Sequence, residues 1–247
     1  MENQMTFSPF SMARRWMAIL GAILAMGTVT SADAGLFGLG GTSWKEEVLL
    51  HDGSTILVDR SVVRGGRHEI GQQPPFKEQS LSFSLPGTNR TVTWEDRYSE
   101  DLGSANFLPM LLDIVNGMSF IVTTPMGCLA YNKWGRPNPP YVIFKHDGKE
   151  WKRIPLEELP AEIKVPNLII SDPDNEVKKM GKNLVTANEI RDVIKGYRIP
   201  EDRTILRELV MSGEGSLINC EKLVSYKGAW VGPGDSIGKR MRDLETK

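Results

Sequence analysis

Four compact turn signals, each set between runs of alternating apolar and polar residues, constrain this chain more than any other feature. They are Asp52-Gly53, Pro86-Gly87-Thr88-Asn89, Asn116-Gly117 and Asp147-Gly148. Asn-Gly and Asp-Gly suit tight hairpins because the turn needs positive φ, which Asn, Asp and Gly tolerate. Residues 46–51 and 55–60 flank the first signal, with Ile56 and Val58 on one strand face and Leu57 and Asp59 on the other. Around the second, Leu81, Phe83 and Leu85 alternate with Ser82 and Ser84, and Val92 and Trp94 alternate on the return strand. Residues 107–115 and 118–123 enclose Asn116-Gly117, where Pro109 argues against unbroken pairing early in the run. Residues 141–145 and 150–154 flank Asp147-Gly148, and the apolar run at 167–171 is a further strand candidate. Four hairpins in series predict a mainly β fold, with antiparallel hairpins in a sandwich- or barrel-like body; the alternative is α+β.

The period then changes. Thr186-Ala187-Asn188-Glu189 reads as a capping box, and Ile190, Val193 and Ile194 fall on one helical face. Gly196 and Pro200 end that helix, and a second short helix is expected over 203–211. The expected organisation is a lead-in at 35–43, a β-rich domain at 44–171, a helical portion at 172–211 and an irregular tail at 212–247. The tail carries a short strand near 223–226.

Residues 1–34 read as an export signal. Arg14 and Arg15 precede a 14-residue apolar run from Trp16 to Val29, and Ala32-Asp33-Ala34 closes the segment. As a helix the run would span roughly 21 Å, short of the ~30 Å hydrocarbon core, so a cleaved signal fits better than a spanning helix. Cleavage after Ala34 would leave a periplasmic or secreted chain starting at Gly35; the alternative is an uncleaved N-terminal membrane anchor. Because that segment holds two basic and two acidic residues, the net charge of −1 survives its removal. A near-neutral chain has no electrostatic footprint for nucleic acid, and no second apolar stretch is long enough to span a membrane.

The two cysteines, Cys128 and Cys220, admit one intramolecular pairing in an oxidising compartment; the alternative is two separate thiols. Cys128 as a nucleophile would need a base, and His68 or His146 could approach only through the fold. His51, His68 and His146 show no metal-ligand spacing, and neither metal nor cofactor is expected. The loop Arg64-Gly65-Gly66-Arg67-His68 could hold an anion but reads first as a solvated turn. Glu95, Asp96, Glu100 and Asp101 cluster near Trp94 and Tyr98, the residue types a glycosidase uses, without diagnostic spacing. Tyr131, Trp134, Arg136 and Tyr141, interleaved with Pro137, Pro139 and Pro140, form the best candidate interaction face.

The segment CLAYNKWGRPNPPYVIFKHDGKEWKRIPLEELP, with EEVLLHDG and RGGRHEIG, resembles a family of exported, signal-peptide-bearing proteobacterial proteins of unknown function. The resemblance implies an extracytoplasmic bacterial protein and brings no catalytic residues. The expected function is non-enzymatic binding or scaffolding in the envelope, with an envelope hydrolase using the 95–101 carboxylates as the alternative.

Overall fold

The computed structural model describes residues 41–211, 213–232 and 234–236, all within one compact unit, Leu39–Lys247. Residues 1–34, read above as an export signal, the expected lead-in up to residue 40 and the end of the tail lie outside the described residues. Two sheets carry the fold. The first contains β1 (Thr42–Leu49), β2 (Thr55–Arg64), β3 (Phe76–Ser84) and β4 (Thr91–Asp96) as an antiparallel meander, with the two-residue β9 (Leu184–Val185) added parallel to β1. The second contains β5 (Phe107–Val115), β6 (Met118–Pro125), β7 (Val142–His146) and β8 (Trp151–Ile154) in sequence order. They pack as a sandwich-like, mainly β body; the described strands close no barrel.

Alternation along the strands explains the packing. In the first sheet, Val48, Val58, Leu81, Phe83, Val92 and Trp94 point inward. They meet Phe107, Leu112, Ile121 and Val142 of the second sheet in one core cluster. Each such side chain contributes roughly 1.5–3 kcal/mol when fully buried. The second sheet is apolar on its other face too: Phe120, Val122, Tyr141 and Ile143 are covered by Leu159, Ile163, Ile170 and Ile205. Burial on both faces accounts for the near-continuous apolar run of β5 and β6.

The inner face of the first sheet also buries an ion pair. Arg60 Nη1 donates to Glu46 Oε1 at 2.9 Å and to the Ile169 carbonyl at 2.7 Å, and Trp44 Nε1 donates to the same Glu46 oxygen at 2.8 Å. The Arg60 guanidinium also lies 5.4 Å from the centre of the Trp44 ring. Removing one member of such a pair leaves an uncompensated buried charge, a cost of about 3–5 kcal/mol.

The turns differ in width. Val115 pairs with Met118, and Asn116 and Gly117 have φ of 51° and 73°, a two-residue turn with both φ positive, as Asn-Gly favours. The Asp52-Gly53 turn is wider: Leu50 N–H donates to Ser54 O, and Asp52 Oδ1 accepts from the Ser54 amide and hydroxyl. Pro109 sits where the β5–β6 register shifts between Pro109 and Leu111, so its missing N–H falls at an irregularity in the ladder.

Helices contribute less. α1 (Gly127–Lys133) follows β6, α2 (Pro173–Met180) follows the 167–172 crossing, and α3 (Ala187–Lys195) carries the capping box expected at Thr186 and Glu189. α1 escaped the sequence reading; α2 falls within the helical portion expected at 172–211, although its own bounds were not read. Residues 167–171 form no strand: Asn167 substitutes side-chain for backbone pairing, accepting from Leu112 N and donating to Leu112 O. Residues 203–211 form no helix either. Ile205 N–H bonds to Lys164 O, and Arg207 donates to the carbonyls of Leu156, Leu159, Pro160 and Ile163, holding the segment extended. The tail forms the hairpin β10 (Val224–Tyr226) and β11 (Ala229–Val231). A Cys128–Cys220 disulfide ties the segment preceding it to α1.

Candidate functional site

At one end of the sandwich, the end of β1, the segment 162–167 and the first turns of α3 surround a cleft of about 310 Å³. Each wall is placed by a local interaction. Asn167 Nδ2 donates to the Leu49 carbonyl at 3.0 Å, joining 162–167 to the end of β1. The capping box starts α3 at the cleft edge, where Ala187 N–H donates to Glu47 Oε2 at 3.3 Å. Leu50, Pro166 and Ile190 form a buried apolar floor.

His51 and Asp113 are the best-defined polar groups of the cleft. His51 Nδ1 lies 2.7 Å from Asp113 Oδ1, and the His51 backbone N–H donates to Asp113 Oδ2 at 3.0 Å. Asp113 Oδ1 also accepts from Ile114 N–H at 2.7 Å, so the carboxylate is held in place. Its side chain is 4% exposed against 21% for His51, so the imidazole faces the opening and the carboxylate backs it. The hydrogen bond to Asp113 raises the His51 pKa above its ordinary 6.5; burial opposes the shift, and the charges of Asp113, Asp52 and Glu162 reinforce it. Nδ1 is engaged, leaving Nε2 free to meet a ligand.

Around this pair stand Glu162, Lys164 and Arg191, all solvent-exposed and none in an ion pair among the described residues. Leu49 and Val165, 37% and 65% exposed, supply apolar walls. None of the cleft-lining residues is Ser, Thr or Cys, so the lining offers the His–Asp pair no hydroxyl or thiol nucleophile. A broader depression of about 610 Å³ lies on the outer face of the first sheet along Leu57, Asp59 and Ser82. It is the outward half of an ordinary strand alternation, and the cleft is the better candidate.

The groups singled out in the sequence lie elsewhere. Tyr131 and Tyr141 are buried, and the Tyr141 hydroxyl bonds to the Glu201 and Thr204 carbonyls. Trp134 is half-buried, packs on Phe107 and Phe144, and donates from Nε1 to Asn106 Oδ1. Arg136 donates to the Cys220 and Glu221 carbonyls. Tyr131, Trp134, Arg136 and Tyr141 therefore hold the molecule together from within and present no common aromatic face.

The four carboxylates diverge: strand alternation sends Glu95 and Asp96 to opposite sides of β4, and Glu100 and Asp101 lie in the turn that follows. Asp96 turns inward and accepts from the amides of Asn106 and Phe107, Asn106 Nδ2 and Gln79 Nε2. Burial raises its pKa against those hydrogen bonds. Glu95 faces out and pairs with Arg97, and Glu100 is exposed. Asp101 accepts from Lys133, Ser99 and Trp230; these outweigh its burial and hold its pKa at about 2. None of the four lines the cleft at His51 or the depression on the first sheet. Cys128 is consumed by the disulfide. His68 is exposed, its Nδ1 at Gly66 O, while His146 is buried against Trp151. Arg64 is bidentate to Asp174 and also bonds Asp172, tying β2 to α2. Among the described residues no cluster of His, Cys, Asp or Glu could hold a metal.

Sequence reasoning missed Asp113, Glu162, Lys164 and Arg191, which come from three separate segments and share no motif. Compared with known proteins, the chain matches no family model, no curated protein and no solved structure.

Proposed function

We propose that this chain is an exported protein of the bacterial envelope, periplasmic or secreted, that works by binding a small ligand in the cleft at His51. The cleft carries the binding half of this reading: a preformed concavity with an apolar floor, an oriented imidazole and unpaired charges at its rim is what a small-molecule site requires. The export half is supported by the pattern of residues 1–34 and the Cys128–Cys220 disulfide, a bond that persists in oxidising compartments. The hydrolase reading is disfavoured by the divergence of Glu95, Asp96, Glu100 and Asp101.

Incubating the mature protein with an extract of its native envelope, then identifying retained small molecules by mass spectrometry, tests the binding half. Wild type should retain a component that the Arg191→Glu variant does not. Equal retention by both, or retention by neither, contradicts the proposal.

A further inference from the structure

Resting on the reading of this cleft as a binding site, we infer that its ligand is a zwitterion with an apolar side chain: an amino acid or, better, a short unblocked peptide. The rim carries both signs of charge. Among the described residues the Glu162 carboxylate has no cationic partner and Lys164 and Arg191 have no acidic one, and His51 presents Nε2. Glu47 is already engaged at the start of α3, and Asp113 is spent on His51. A purely anionic ligand would leave Glu162 facing like charge, and a purely cationic one would face Lys164 and Arg191. A ligand with an ammonium at one end and a carboxylate at the other satisfies both. The ammonium goes to Glu162, and the carboxylate goes to Arg191 with Lys164 and the free Nε2 edge of His51 beside it.

The body of the cleft is apolar. Leu49 and Val165 are 37% and 65% exposed, above the buried Leu50, Pro166 and Ile190. A ligand side chain lying there would remove these exposed faces from water, as an apolar chain of leucine size does well. The volume of about 310 Å³ is at the small end for ligand sites and suits one or two residues rather than a long chain. The Asn167 bonds to Leu49 O and Leu112 and the Asp113 bonds to His51 hold the site in shape before any ligand arrives.

Titration of the mature protein with leucyl-leucine, followed by backbone amide chemical shifts, tests the ligand class. Saturable shifts are expected at 47–51, 162–167 and 187–191. N-acetyl-leucyl-leucine and leucyl-leucinamide should each bind at least about 10-fold more weakly, as the loss of one charge-assisted contact implies. Glu162→Gln should weaken the free dipeptide but not the acetylated one, and Arg191→Ala should weaken the free dipeptide but not the amide. Both variants should leave shifts far from the cleft unchanged, which separates lost binding from lost fold. No saturable shift, or equal binding of free and blocked dipeptides, overturns the ligand class. If that happens while retention from envelope extract still depends on Arg191, the cleft remains a binding site for another chemistry. If retention is also independent of Arg191, both readings fall together.

Discussion

His51 is the residue where structure and charge meet most directly. Its folded pKa is raised, chiefly by the hydrogen bond to Asp113, so it gains a proton more readily than in the unfolded chain. The resulting stabilisation is fully present below the ordinary value of 6.5 and is lost as pH rises through the higher folded value. An NMR titration of the His51 ring should give a midpoint above 6.5 that Asp113→Asn moves down; a midpoint at or below 6.5 in wild type contradicts the pairing. Asp202 is likewise held toward its protonated form, but by burial and a neighbouring charge rather than by a hydrogen bond. Burial, with Glu201 beside it, pushes its pKa from 3.8 up to about 6. Folding therefore favours the protonated acid, and that advantage disappears as pH rises through about 6. Asp202→Asn should raise stability by roughly 1–3 kcal/mol at pH 8, taking 1.36 kcal/mol per unit as the ceiling, and should give no gain at pH 4. Denaturant unfolding at the two pH values checks this; equal effects at both would refute it.

At the scale of elements, the hairpins were legible because their information is local: alternation sets the strand faces, and Asn116-Gly117 sets a turn. The capping box of α3 was legible for the same reason, since Thr186 and Glu189 lie three residues apart. The failures share a cause. The extended course of 203–211 depends on carbonyls at 156–164, which Ile205 and Arg207 bond across roughly 40 to 50 residues. The lack of a strand at 167–171 depends on the Asn167 side chain reaching Leu49 and Leu112. The cleft was illegible for the same reason: His51 looks like a turn residue until Asp113, 62 positions away, is placed behind it. The loop joining β2 to β3 supplies a test at this scale. Gly66 has φ of 98°, and a Cβ there would lie 2.2 Å from the Gly103 carbonyl oxygen. The contact is to backbone, so Gly66→Ala should destabilise the fold by about 2–4 kcal/mol, well above the effect of Gly71→Ala, which meets nothing within 4 Å. Equal melting temperatures for the two variants would contradict the close approach.

For the whole molecule, the sandwich is a rigid support with its distinctive chemistry at one end and a covalent tie elsewhere. Cys128 and Cys220 are separated by 92 positions, and closing so long a loop restricts the unfolded chain by up to about 4–5 kcal/mol in the chain-entropy view. The disulfide, the hydrogen bonds from Arg136 to the Cys220 and Glu221 carbonyls, and that from Asn132 to Glu221 all bind the tail to α1. In a reducing compartment the covalent part of that attachment would be absent, which links the architecture to the proposed export. The central claim is that the working protein is an exported, disulfide-closed body. Its most direct test is the intact mass of the chain purified from its native envelope, after alkylation under denaturing, non-reducing conditions. The account predicts a chain beginning at Gly35, two hydrogens lighter than the reduced form and carrying no alkyl group. A chain retaining Met1, or one bearing two alkyl groups, would contradict it.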